Sequence, residues 1–131
     1  MFTGFNHVGI VVHDVDEMVS FLQKAFGAKE IGRQEVPAAG QVSCMISIGT
    51  GTIELIAPFG EVEGVAGKFL KTHGPGIHHI SVRSDDLESD CAHLEEVGVK
   101  VFGKMDAGVM KGAFAHPATT GGVLYELLQY K

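Results

Sequence analysis

The sequence predicts an α+β protein built from two βαβββ modules that together form a half-open barrel. Two observations predict it. Strand-like and helix-like stretches recur in the same order in each half of the 131-residue chain. Four residues of metal-ligand type also recur at one internal offset, His7 to His79 (79 − 7 = 72) and Glu54 to Glu126 (126 − 54 = 72). Each half thus places a His on one strand and a Glu 47 residues later on another (54 − 7; 126 − 79). An internal repeat of this kind fixes architecture before any single element does. The modules are expected over about 4–58 and about 76–131, with a linker over about 59–75, all in one domain, because a unit of about 65 residues is marginal alone.

The elements follow in order. Residues 5–12 alternate and are rich in β-branched side chains, the signature of a strand. Asp14 offers an N-cap, with Glu17 three residues on. Val15, Met18, Val19, Leu22, Ala25 and Phe26 share one helical face, and Gly27 closes the helix. Strands over 29–36, 42–48 and 52–57 complete the module, joined by Pro37-Ala38-Ala39-Gly40 and Gly49-Thr50-Gly51. In the linker, Val65, Ala66, Phe69 and Leu70 can build a short helix, ended by Gly74-Pro75-Gly76. The second half repeats this programme. A strand over 77–82 leads to a helix capped by Asp85 or Asp86, whose Leu87, Cys91 and Leu94 each lie 72 residues after Val15, Val19 and Leu22. Gly98 answers Gly27 at 98 − 27 = 71, a slip of one. Strands are expected over 99–102, 112–116 and 123–130, with a loop over 104–110 and a turn at Gly121-Gly122.

Composition excludes several function classes. Net charge is 10 − 16 = −6, so no nucleic-acid partner is expected. No apolar run approaches the roughly 18 residues of a membrane span, so no membrane partner is expected either. The N-terminus lacks a signal-peptide pattern, and a cytoplasmic location is expected. Cys44 and Cys91 fall on apolar faces and are expected to be buried free thiols. Exposed sheet edges and a half-open cleft predict a homodimer.

Alternation along the strands selects the site residues. If His79 faces the cleft, His78 faces the helix side or solvent. The repeat selects His79, because His79-Ile80-Ser81-Val82 aligns with His7-Val8-Gly9-Ile10. His13, His73, His93 and His116 have no repeat partner of ligand type and are expected at the surface or behind the ligands. Glu54 and Glu126 each sit in the middle of an apolar strand, where a lone ionised carboxylate is costly and a cation removes the cost. The acidic residues at 85, 86, 88, 90, 95 and 96 lie on a helix with an apolar opposite face, which predicts a solvated surface. The set His7, Glu54, His79 and Glu126 suits a divalent ion such as Zn, Ni, Co, Mn or Fe(II).

With these residues in place the chain resembles the vicinal oxygen chelate superfamily of glyoxalases, extradiol dioxygenases and methylmalonyl-CoA epimerases, and so a glyoxalase-like fold. Asn6-His7-Val8-Gly9-Ile10, Ile53-Glu54-Leu55-Ile56-Ala57-Pro58, Lys68-Phe69-Leu70, Gly76-Ile77-His78-His79-Ile80, Asp85-Asp86-Leu87, His116-Pro117 and Gly121-Gly122-Val123-Leu124 resemble the epimerase branch. The resemblance implies a metal-dependent epimerase of a methylmalonyl-CoA-like acyl-CoA thioester. It would act by proton abstraction and a metal-stabilised enolate, with Glu126 as the first choice for the catalytic group and Glu54 as its symmetric counterpart. The alternatives are a glyoxalase I-type lactoylglutathione lyase acting on a hemithioacetal, and a non-catalytic small-molecule binder of the same fold. Retention of all four ligand-type residues argues against the binder. The chain departs from the branch pattern at Pro37-Ala38-Ala39-Gly40, at Gln41, Val42 and Ser43, where some epimerases carry another acidic residue, and at His116-Pro117-Ala118. Lys111, Lys104 and Arg33 are the cations that could meet a CoA phosphate in their place.

Overall fold

A computed structural model describes Met1–Lys131, and its elements grow from these local signals. They are β1 (Phe2–Val11), α1 (Val15–Phe26), β2 (Lys29–Val36), β3 (Gln41–Ile48), β4 (Gly51–Pro58), α2 (Val65–His73), β5 (Gly76–Ser84), α3 (Leu87–Glu96), β6 (Val101–Asp106), β7 (Met110–Ala115) and β8 (Tyr125–Tyr130). The α+β class and the doubled βαβββ order are both observed, with α2 between them. Contacts divide the chain into a continuous unit, His7–His78, and a discontinuous unit, Met1–Asn6 with His79–Lys131.

In the continuous unit the strand order is β2-β3-β4-β1. The end of β1 runs parallel to β4, and the other pairs are antiparallel. Helix α1 starts where the sequence places its cap. The Asp14 carboxylate accepts the Glu17 amide at 3.1 Å, and Gly27 takes the left-handed conformation that ends the helix (φ 64°). Its buried stripe, Val15, Val19 and Leu22, packs on Val12, Val42, Cys44, Ile46, Leu55 and Ala57. Each such aliphatic side chain, fully buried, contributes about 1.5–3 kcal/mol. Helix α2 covers Val11 and Ile56 with Ala66, Phe69 and Leu70.

In the discontinuous unit the order is β5-β8-β7-β6, with β5 and β8 parallel. Helix α3 lays Leu87 and Cys91 on Ala113 and Leu127, and Phe2 packs against the same cluster. The first residues of β1 are tied to this unit. Thr3 Oγ1 donates to the Arg83 carbonyl at 3.3 Å, Asn6 Nδ2 donates to the Tyr130 hydroxyl at 2.9 Å, and the Met1 ammonium meets Asp85 at 2.6 Å. Of the two candidates for the α3 cap, Asp86 serves, accepting the Ser89 amide at 3.1 Å.

Three sequence expectations are corrected. The strand expected over 99–102 instead spans Val101–Asp106. The Val99 amide donates to the Leu94 carbonyl at 2.9 Å, finishing the helix, and Gly103 (φ 64°) forms a bulge rather than an end. Beyond it Met105 pairs with Gly112 and Asp106 with Lys111. A bulge between Glu30 and Gly32 on β2 is its counterpart in the first module. Second, Asp90 is not part of a solvated face; it is 8 % exposed. Ser84 Oγ donates to it at 2.6 Å and the Met1 ammonium lies 3.2 Å away, so the buried charge is compensated. Third, Arg33 is committed elsewhere, to Glu30 at 2.8 Å and Asp16 at 2.7 Å. The thiols of Cys44 and Cys91 are free and buried as expected, and desolvation pushes both pKa values up.

Gly40 and Gly64 hold the Pro37–Gly40 turn against the start of α2. A Cβ on Gly64 would sit 2.0 Å from the Ala39 carbonyl oxygen. Gly64→Ala is therefore expected to cost about 2 kcal/mol by overpacking, measured by urea unfolding. Gly67→Ala, whose Cβ meets only the Glu63 side chain at 3.4 Å inside α2, is expected to stabilise by about 0.5–1 kcal/mol. Equal effects of the two changes would contradict this account.

Candidate functional site

In the continuous unit, the parallel pairing of β1 and β4 sets Gly9 opposite Glu54. His7 lies two residues before Gly9 and so shares its face. The imidazole is 7 % exposed, and His7 Nε2 stands 3.5 Å from Glu54 Oε1. A third residue joins them from β3. Ser43, opposite Ile56, donates its hydroxyl to Glu54 Oε2 at 2.6 Å. The two Glu54 oxygens are thus divided, one toward His7 and one held by Ser43.

The discontinuous unit builds the same pair from β5 and β8. Ser81 is opposite Glu126, and His79 shares the Ser81 face. His79 is 4 % exposed, and its Nε2 lies 3.9 Å from Glu126 Oε1. Phe114 on β7 is opposite Glu126, and the Phe102 ring packs against both Phe114 and His116, with centroids 5.6 and 5.5 Å away.

These pairs pass a chemical test for a metal. Both offer nitrogen and oxygen donors of the borderline kind that divalent transition metals take. Two ligands bonded to one ion at about 2.0–2.2 Å lie roughly 3–3.5 Å apart. The His7–Glu54 spacing fits as it stands, and the His79–Glu126 spacing fits after a small side-chain movement.

The other histidines fall where alternation and the repeat send them. His13, His73 and His93 are exposed. His73 stacks on Phe69 and His78 meets the same ring edge-on, at 4.7 and 5.2 Å. His116 Nδ1 accepts the Ala118 amide at 3.1 Å and caps the turn Pro117–Thr119. Ser43 and Ser81 were missed as site residues. Their one sequence signal is parity, since each lies on the strand face opposite its apolar neighbours. Lys104 and Lys111 line a cavity of about 320 Å³ with Leu87, Glu88, Cys91, Met105, Asp106 and Gly112.

Comparison with known proteins extends this beyond the two pairs. Residues 6–119 match the Glyoxalase/Bleomycin resistance protein/Dioxygenase superfamily. The chain is 33 % identical over 128 residues to the ethylmalonyl-CoA/methylmalonyl-CoA epimerase of Cereibacter sphaeroides, covering 95 % of this chain and 96 % of that one. It superimposes on the crystal structure of the Mycobacterium tuberculosis methylmalonyl-CoA epimerase with a TM-score of 0.87 at 29 % identity, over 99 % of this chain and 89 % of that one. A methylmalonyl-CoA epimerase in complex with methylmalonyl-CoA and NH4+ gives 0.86 at 27 %, over 99 % and 96 %.

The Ser43–Glu54 bond carries a prediction of its own. A hydrogen bond from a hydroxyl to a half-buried carboxylate contributes about 1.5 kcal/mol. Ser43→Ala is expected to lose that much in urea unfolding, and unchanged stability would show that the bond does not hold Glu54.

Proposed function

This chain belongs to the Glyoxalase/Bleomycin resistance protein/Dioxygenase superfamily, and within it we propose an isomerase, an epimerase acting on methylmalonyl-CoA. The observation that carries this reading is the His–Glu pair formed on parallel strands in each unit, in a chain aligned over almost its full length with epimerases of that thioester.

The substrate class explains why such residues are needed. The reacting carbon lies between a thioester carbonyl and a carboxylate, and removing its proton leaves charge on the two oxygens. We assign His7, Glu54, His79 and Glu126 as the residues that hold a divalent cation, of Co, Ni, Zn, Mn or Fe(II) type. When bound, that cation would supply the positive charge that stabilises the enolate. Glu126 is the group that takes the proton, acting as general base. Glu54, its counterpart in the repeat, is the second candidate for proton transfer, but the Ser43 bond to Oε2 favours a fixed, ligating role. The buried imidazoles of His7 and His79 keep a stable donor geometry because each is set into a strand rather than a loop.

The CoA phosphates need cations that the departures from the epimerase pattern removed. Lys104 and Lys111 can serve, whereas Arg33 is bound to Glu30 and Asp16. We further assign the chain to a single domain, a cytoplasmic location and a homodimer. The dimer is supported by the sheet edges at β2 and β6, although both edges carry a bulge that limits strand pairing. No helix is long and apolar enough to cross a membrane.

The test is proton exchange. Metal-loaded protein in heavy water is expected to incorporate deuterium at C2 of methylmalonyl-CoA, followed by NMR. Glu126→Gln is expected to slow exchange by at least about 100-fold. Chelation is expected to abolish exchange and added metal to restore it. No exchange from fully metallated protein would overturn the assignment.

A further inference from the structure

Ser81 is fully buried, and its hydroxyl has no hydrogen-bond partner. That is unusual, because nearly all buried polar side chains are hydrogen-bonded and an orphan costs stability. Its position gives the orphan a meaning. Ser81 is opposite Glu126 on the adjacent parallel strand, where side chains on a shared face stand about 4.8 Å apart at the backbone. It lies two residues beyond His79 on that face.

The comparison between units sharpens this. Each glutamate has one serine near it, but from different strands. Glu54 is opposite Gly9 and takes its hydroxyl from Ser43 on β3, opposite Ile56. At the matching place beside Glu126, opposite Leu128, stands Gly112 (128 − 56 = 72). Where the first unit has Gly9, the second has Ser81 (81 − 9 = 72). The hydroxyl has changed strand, and on β5 it stands across the ladder from the carboxylate instead of diagonal to it.

We propose that Ser81 is a positioning residue for Glu126, donating its hydroxyl to the carboxylate once that group turns from His79 toward the substrate proton. A ligand that is also a base needs two resting places. His79 marks the first, at 3.9 Å, and Ser81 defines the second. Ser43 does the opposite for Glu54, fixing one place. This rests on the assignment of Glu126 as the base.

The experiment compares wild type and Ser81→Ala in three measurements: thermal unfolding, C2 deuterium exchange, and the steady-state split between kcat and KM. Removing an orphaned hydroxyl is expected to leave Tm unchanged or raise it by about 3 °C, while kcat falls by about tenfold and KM stays within about twofold. A lower Tm would mean the hydroxyl is structural, and an unchanged kcat would mean it does not serve Glu126; either overturns the proposal. Wild-type protein that fails to exchange would instead overturn the epimerase assignment, and this inference with it.

Discussion

The structure depends on placing a charged carboxylate inside an apolar strand. Glu54 stands between Ile53 and Leu55, and Glu126 between Tyr125 and Leu127, with side chains only 19 % and 20 % exposed. Strand alternation makes this tolerable, because the flanking residues face the helix while the carboxylate faces the other way. Leu55 and Leu127, almost fully buried, belong to the cores under α1 and α3. The same alternation on the parallel neighbour brings an imidazole to each carboxylate. A parallel pair is therefore what the site requires, and the helix and two antiparallel strands that connect its members complete each module.

Much of this was legible in the sequence because it was written twice. The helix α1 could be read from Asp14, Glu17 and Gly27, whose roles are local. The four ligand-type residues could be read from their common offset. What escaped depends on contacts that no local pattern encodes. Gly103 looks like a strand end until its partner strand is known, and only then does it become a bulge. Asp90 looks like one more acid on a solvated helix, yet its neighbours Ser84 and the Met1 ammonium come from elsewhere in the chain. Ser43 and Ser81 escaped for a different reason: neither has a hydroxyl partner at the repeat offset.

That last point separates what the repeat preserves from what it lets drift. Apolar helix positions, helix-ending glycines, bulges and ligand-type residues are all retained in both copies. The groups that adjust those ligands are not. Two halves with equivalent donors can still divide labour if the hydrogen bonds behind the donors differ, since a carboxylate oxygen held by a hydroxyl, as Ser43 holds Glu54, has fewer orientations open to it.

The attachment of Met1–Asn6 to the second unit has a consequence for how the chain acquires its fold. The bond between Asn6 and Tyr130 spans 124 positions and that between Met1 and Asp85 spans 84. Residues made earlier on the ribosome therefore wait for partners made much later. The continuous unit can close on itself while synthesis proceeds, but Phe2 finds its hydrophobic cluster only after β8 has emerged. Long-range closures of this kind slow folding. They also make the two copies unequal in time: one is assembled from a single uninterrupted stretch, the other from two stretches separated by the whole of the first.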